Sequence, residues 1–268
     1  MNARDARRRR ATDELIDGVA LKEFESYHGA PEFAPVVVVI AAYHERDNIG
    51  GVVESIPVEL CGLPVSVLVV VDGEEDGTAE VVRKLGQFCV IAPVNRGQGA
   101  ALRLGYHLAR LGGARYLLTA DADGQSDPND LAVVLQPIID GAADFVSGSR
   151  TLGKSESKDA VRSAGIRFFS VLISLLTGTK VTDTANPIRA MRADLPDRLT
   201  LDEPQYQSSE LLIGSIFNGA RYAERPVTMR ARTSGGSKKG HNLVYGWRFT
   251  RVVFRTWWRE RQRSGVGG

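Results

Sequence analysis

The chain has 268 residues, 43% hydrophobic and 25% charged, with a formal net charge of +2. That is enough apolar material for one sizeable core with a small appendage, and the near-balanced charge argues against a nucleic-acid partner. Cys61 and Cys89 are the only cysteines, which excludes a disulfide framework and, with His28, His44, His107 and His241 scattered along the chain, a zinc site. Both are expected to be small buried side chains in a protein of the reducing cytoplasm.

Residues 1–34 read as a polar, basic extension with a short helix near Asp13 to Phe24. Arg4, Arg7, Arg8, Arg9 and Arg10 crowd its start, and such runs are mostly solvated, although anionic lipid headgroups attract them too. Pro35 to Ala42 is a continuous β-branched run, the pattern of a strand buried on both faces. A strand–helix alternation follows. Strands are expected at Val65 to Val71, Phe88 to Val94, Tyr116 to Ala120 and Phe145 to Ser147. Helices are expected at Asn48 to Ile56, Thr78 to Leu85, Gly99 to Leu111 and Pro128 to Ile139, the last opening on a proline suited to a first turn. Beyond this the rhythm changes. Arg162 to Gly178 and Tyr206 to Phe217 read as helices and Tyr222 to Met229 as a strand. Thr233 to Gly240 is a glycine-rich basic loop, and Asn242 to Arg263 is a terminal helix. The organisation expected is an extension over 1–34, one α/β domain over 35–241 and a basic amphipathic helix over 242–268.

No apolar stretch approaches the about 20 residues of a bilayer crossing. The basic start runs into Ala11-Thr-Asp-Glu-Leu-Ile-Asp rather than the apolar segment of a signal peptide. Phe168 to Leu176 is apolar on nearly all sides, and the terminal helix mixes Trp247, Trp257 and Trp258 with arginines. Either composition suits a membrane interface, and the first equally suits a core helix. The expected location is cytoplasmic, extending to peripheral contact with the cytoplasmic membrane face.

Alternating strands and helices imply a mostly parallel sheet with right-handed crossovers. Ligands of such sheets bind beyond the carboxyl ends of the strands. Tyr43, Glu45, Asp72, Asn95, Arg96, Asp121 and Asp123 all fall there. In Asp121-Ala122-Asp123-Gly-Gln125 a strand runs into two carboxylates spaced i, i+2. Hard oxygen ligands of this kind suit Mg²⁺ or Mn²⁺, and such a metal commonly holds a diphosphate. Asp-x-Asp alone is weak, because acidic turns after strands are common. Two other nucleotide signatures are absent. The first strand is not followed by Gly-x-Gly-x-x-Gly, and Asn95-Arg-Gly-Gln-Gly-Ala lacks the Gly-Lys-Ser/Thr ending of a P-loop.

Taken together, Ile40-Ala-Ala-Tyr-His-Glu-Arg-Asp, Val71-Asp-Gly-Glu-Glu-Asp-Gly-Thr, Asn95-Arg-Gly-Gln-Gly-Ala, Asp121-Ala-Asp-Gly-Gln-Ser-Asp-Pro, Gly148-Ser-Arg, Thr182-Asp-Thr-Ala-Asn-Pro-Ile-Arg, Ser209-Glu-Leu-Leu, Glu224-Arg-Pro-Val and Arg232-Thr-Ser-Gly-Gly-Ser-Lys resemble the family 2 glycosyltransferases. The likeness spans about residues 35–245. It is greatest to the dolichyl- or polyprenyl-phosphate mannosyl- and glucosyltransferases. The resemblance implies a GT-A (Rossmann-like) fold, a nucleotide-diphosphate sugar donor, Mg²⁺ or Mn²⁺, and inversion at the anomeric carbon. It also implies roles. Tyr43, Glu45 and Asp72 frame the nucleoside, and Gly97 and Gly99 let backbone approach the nucleotide. Asp121, Ala122, Asp123 and Gln125 form the metal and diphosphate turn. Arg232, Ser237 and Lys238 belong to a loop that closes over the donor. Arg150, Arg162 and Arg189 are matched to an acceptor phosphate, and Asp183 to a carboxylate near the acceptor. The chain departs from the family in having Val71-Asp72 for a pair of adjacent acids and Gln98 for a lysine.

The activity this implies is hexosyl transfer from a GDP-mannose- or UDP-glucose-type donor to a polyprenyl or dolichyl phosphate. Two alternatives stand beside it. The same donor chemistry on a soluble acceptor hydroxyl would need a general base, for which Asp183 is the candidate and Glu210 a weaker one. A sugar-nucleotide-binding protein without turnover would account for Val71 and Gln98 as decayed chemistry.

Overall fold

A computed structural model describes residues 3–156, 160–230 and 242–265. Strand β1 (Val36–Ala42) lies at the centre, because its uninterrupted Val-Ile-Ala run can be covered on both faces. It pairs in parallel with β3 (Leu63–Asp72) on one side and β5 (Tyr116–Asp121) on the other. β4 (Phe88–Ala92) extends the parallel set beyond β3, and the two-residue β2 (Glu59–Leu60) forms a hairpin onto the start of β3. On the far side of β5 the direction reverses. β7 (Arg189–Arg192) runs antiparallel to both β5 and β6 (Phe145–Ser155), and β8 (Tyr222–Met229) closes that edge parallel to β6. The result is an eight-stranded, mostly parallel sheet, the α/β architecture expected.

Helices α2 (Arg46–Ser55), α3 (Thr78–Lys84) and α5 (Asp130–Ile139) are the crossovers on one face. Their Ile49, Val82 and Leu135 share a core with Ile40 and Val69 of the sheet. Helices α4 (Gln98–Leu111), α7 (Gln207–Phe217), α6 (Ala160–Thr177) and α8 (Asn242–Gly265) belong to the opposite core, with Val39, Val70 and Leu117.

The N-terminal segment departs from the sequence expectation. Residues 3–28 form one helix, α1 (Ala3–His28), where a short helix in a polar extension was expected. Its low-polarity face is narrow, but Ala20 and Phe24 are completely buried in the α4-side core, and Phe24 stacks near Phe33 and Phe88. His28 Nε2 accepts a hydrogen bond from the Cys89 amide at 3.2 Å, which occupies a donor on the outer edge of β4. The Arg10 guanidinium is not simply solvated, since it pairs with Asp202 at 2.9 Å.

Both terminal helices therefore pack onto the domain, although α6 and α8 each leave large apolar side chains exposed. Ile173, Phe249, Val252 and Val253 are buried. Phe168, Val171 and Leu175 of α6 and Trp247, Phe254 and Trp258 of α8 are exposed. Among the described residues, no helix is long and apolar enough to cross a membrane.

Helix α4 reaches the sheet closely at Gly105. A Cβ there would collide with Val39 Cγ1 and come within 2.9 Å of Val70 Cγ2, both in the centre of the sheet. Gly105→Ala should lower unfolding stability by up to about 2 kcal/mol, because overpacking costs about 1–3 kcal/mol against a helix-propensity gain of about 1 kcal/mol. Urea unfolding followed by circular dichroism checks this.

Candidate active site

The carboxyl ends of β1, β3, β4 and β5 open on one edge, and the loops there carry the predicted residues. Asp121 ends β5, and the Asp123 turn follows at once. Asp123 Oδ1 accepts the Gln125 amide at 3.1 Å, which fixes the turn. Gln125 is buried, and its Nε2 donates to the Arg230 carbonyl at 3.3 Å, while the Arg230 amide donates to the Gln125 carbonyl at 2.9 Å. Gln98, the first residue of α4, reaches Asp121 Oδ1 at 3.4 Å. A cleft of about 320 Å³ lies over this turn, lined by Asp121, Asp123, Asp127 and Arg230 with Asp47 and Asn48 of α2.

Among the described residues no three His, Cys, Asp or Glu side chains converge as a complete metal cage. That is compatible with Mg²⁺ or Mn²⁺, which are commonly held by one or two carboxylates together with substrate phosphate oxygens and water. The donor set of Asp121, Asp123 and the Gln125 amide oxygen has the right chemistry for such an ion.

The next helix was expected to start at Pro128, directly after Asp127. Instead α5 begins only at Asp130. Asp127 accepts the Asn129 amide at 3.1 Å and also pairs with Arg230 at 2.7 Å. Partial burial pushes its pKa up, but the hydrogen bonds from Asn129 and Arg230 outweigh this and hold it below the usual range. Arg230 thus anchors the end of β8 beside the acidic turn. Arg232, Ser237 and Lys238, which follow in the sequence, lie outside the described residues.

The nucleoside side differs in detail from expectation. Tyr43 is exposed and meets His44 edge-on at 4.1 Å, and Glu45 Oε2 accepts from the Asn48 amide group at 2.8 Å at the start of α2. Asp72 is 2% exposed and faces the chain instead of the cleft. Its oxygens accept the Arg96 amide at 3.0 and 3.1 Å and the Gly97 amide at 2.6 Å. Burial raises its pKa, against the opposing pull of those amides and of Arg96 and Arg103. Gly97 adopts φ 99°, and a Cβ there would lie 2.6 Å from the Pro204 carbonyl. Gly99 donates to the same carbonyl at 2.6 Å. The close approach that these glycines permit is to residues 203–204 of the chain itself.

Arg150 and Asp183 are brought together, but as partners of one another. Arg150 Nε and Nη2 reach the two Asp183 oxygens at 2.6 and 2.7 Å, a bidentate pair whose side chains are 7% and 0% exposed. Asp183 also accepts the amides of Arg150 and Ala185 at 3.0 and 3.1 Å. Arg150 Nη1 contacts Met229 Sδ at 3.3 Å. Arg189 is buried at the start of β7, on the face shared with Asp121. Burial lowers its pKa, opposed by Tyr106, Tyr222, Asp121 and Asp183. Arg162 lies in the first turn of α6, and its side chain is outside the described residues. Glu210 is buried in the first turn of α7. Burial raises its pKa, while the Glu203 amide at 2.8 Å and Arg259 at 2.9 Å draw it down.

Sequence reasoning missed Glu224 as an organiser. Its carboxylate accepts the amides of Thr182 and Asp183 and the hydroxyls of Thr182 and Tyr222, so it holds the segment that carries Asp183. The Glu224-Arg-Pro-Val match was the signal available. Tyr106, Gln207 and Ser209 carry buried polar atoms without a partner among the described residues. Tyr106 sits within an apolar helical pattern and Gln207 and Ser209 in a polar first turn that reads as solvated, so neither context hints at this.

Residues 37–199 match the glycosyl transferase family 2 domain. The chain is 33% identical over 221 residues to a dolichyl-phosphate hexose transferase of Haloferax volcanii, covering 79% of this chain and 93% of that protein. It is 29% identical over 235 residues to a UDP-N-acetylglucosamine–dolichyl-phosphate N-acetylglucosaminyltransferase of Methanococcus voltae, covering 80% and 92%. The fold matches glucosyl-3-phosphoglycerate synthase from Mycobacterium tuberculosis, solved with Mn²⁺, UDP and glucosyl-3-phosphoglycerate. The TM-score is 0.64 at 19% identity, over 89% of this chain and 83% of that one. An acidic turn at the carboxyl edge of a mostly parallel sheet, the GT-A architecture around it and the match along most of the chain make one assignment: the chain belongs to glycosyl transferase family 2 and is a sugar-transferring enzyme.

Proposed function

We propose that this enzyme transfers a hexose, with inversion, from a nucleoside-diphosphate sugar of the GDP-mannose or UDP-glucose type to a polyprenyl or dolichyl phosphate at a membrane surface. The observation that carries the acceptor assignment is the buried Arg150–Asp183 pair. A hydroxyl acceptor needs a general base, and Asp183 has both oxygens committed to a guanidinium and to backbone amides. A phosphate acceptor arrives ionised and needs only to be held and aimed. Asp183 then needs no catalytic proton transfer and serves to hold Arg150 in place. The relatives named for dolichyl phosphate support this reading.

On the donor side, the Asp121–Gln125 turn holds the diphosphate. A divalent cation bound by Asp121, Asp123 and Gln125 would neutralise the charge that grows on the leaving group. Arg230, tied to Asp127, fixes the end of β8 beside this turn, and the resemblance assigns Arg232, Ser237 and Lys238, further along the sequence, to the donor. The acceptor oxygen attacks the anomeric carbon on the side opposite the departing diphosphate. Peripheral membrane contact is assigned to the exposed Phe168, Val171, Leu175, Trp247, Phe254 and Trp258 face, flanked by Arg248, Arg251 and Arg255.

Purified enzyme incubated with Mn²⁺, polyprenyl phosphate and a panel of labelled UDP- and GDP-sugars should give an organic-extractable product. A product that stays aqueous would redirect the assignment to a soluble acceptor. Chelation should abolish turnover and added Mn²⁺ or Mg²⁺ should restore it, while Asp123→Ala should lower the rate by about a hundredfold or more; full metal-dependent activity in that variant would sink the metal assignment. Asp183→Asn should cost about 3–5 kcal/mol in urea unfolding, since it leaves a buried guanidinium without its counter-charge. A general base would instead show an intact melting curve and a collapsed kcat.

A further inference from the structure

The loop between β4 and α4 is gripped from three directions. Asp72 holds the amides of Arg96 and Gly97 from beneath. The chain at Pro204 closes on Gly97 and Gly99 from one side. From outside, α1 holds the Arg96 side chain. Arg96 Nη2 reaches Asp17 Oδ1 at 2.6 Å, and Nη1 reaches Asp13 at 3.3 Å through both its carbonyl and its carboxylate. The other oxygen of Asp13 takes Arg103 of α4 at 3.2 Å, and Arg103 reaches the Glu203 carbonyl at 3.4 Å. The Arg96 side chain is 8% exposed. A guanidinium so buried is expensive to leave uncompensated, so its two aspartates determine where it rests. Gln98 follows directly, and its amide reaches Asp121.

We infer that α1 is a working part of the donor site: Asp13 and Asp17, through Arg96 and Arg103, are positioning residues that preset the Arg96–Gln98 loop against the Asp121 turn for a nucleoside diphosphate. This rests on the donor reading above. Arg96 itself is turned away from the cleft, and its contribution is to hold its own backbone in place. Binding a preset loop avoids the cost of ordering it at the moment the ligand arrives. The α1 segment lies outside residues 37–199, the part matched to the family domain, so this chain supplies the restraint from its own flank.

The test is nucleotide binding by the full-length protein, using calorimetry with UDP and GDP in the presence of Mn²⁺. Asp13→Asn/Asp17→Asn should weaken binding of the preferred nucleotide on the order of tenfold and speed amide hydrogen exchange at Arg96–Gln98. Asp17→Glu should recover most of the affinity. Glu23→Gln is the matched control. It breaks the Glu23–Arg83 pair at the other end of α1, so it should lower the melting temperature without moving the nucleotide Kd. Equal nucleotide affinity in wild type and the double variant would overturn the inference alone. So would an equal loss in Glu23→Gln, which would mean that any loosening of the helix has the same effect. A wild type that binds neither nucleotide would overturn the donor reading and this inference with it.

Discussion

Backbone amides that turn inward at the edge of a sheet need acceptors, and in this protein carboxylates supply them. Asp72 takes the amides of Arg96 and Gly97, Asp123 that of Gln125, and Glu224 those of Thr182 and Asp183. Asp130 takes that of Thr228 at 2.6 Å. An unsatisfied buried amide costs about 1–3 kcal/mol, so the loops that make the site can exist only where these acids stand. The acids near the cleft thus divide into two groups. Asp72, Asp130 and Glu224 shape loops, whereas Asp121, Asp123 and Asp127, with Asp47, line the open cleft.

Much of the fold was legible because its strands are buried on both faces. Val36 to Ala42 could hardly be anything but a central strand, and the crossover helices follow from the spacing. β7 was not legible. Arg189 to Arg192 is four residues long with an arginine at each end, and only its neighbours β5 and β6 make it a strand. Helix α1 was undervalued for a related reason. Its polar composition suggested a tail, but the partners of Asp13, Asp17 and Glu23 are Arg96, Arg103 and Arg83, far along the chain. No local pattern announces such pairs.

The site was legible as a location, and less so as a set of roles. Asp121 and Asp123 stand at the strand end where the pattern placed them, whereas Arg150 and Asp183, matched by resemblance, lie inside β6 and in the segment before β7. What no pattern reveals is which atoms are already committed. The resemblance matches Asp72 to the nucleoside and Asp183 to the acceptor, and the structure spends their oxygens on the protein itself. Gly97 and Gly99 read as room for a nucleotide, and residues 203–204 fill that room.

The reversal of direction at β7 bears on biosynthesis. β5 and β6 are neighbours in the chain but not in the sheet, because a strand made later is inserted between them. As the polypeptide leaves the ribosome, both therefore carry an open edge until residues 189–192 have emerged, and β6 gains its other partner only with residues 222–229. Open edges invite pairing with the wrong strand. A stalled or truncated product ending within α6 would leave the sheet open at β5 and β6 without either of its partners.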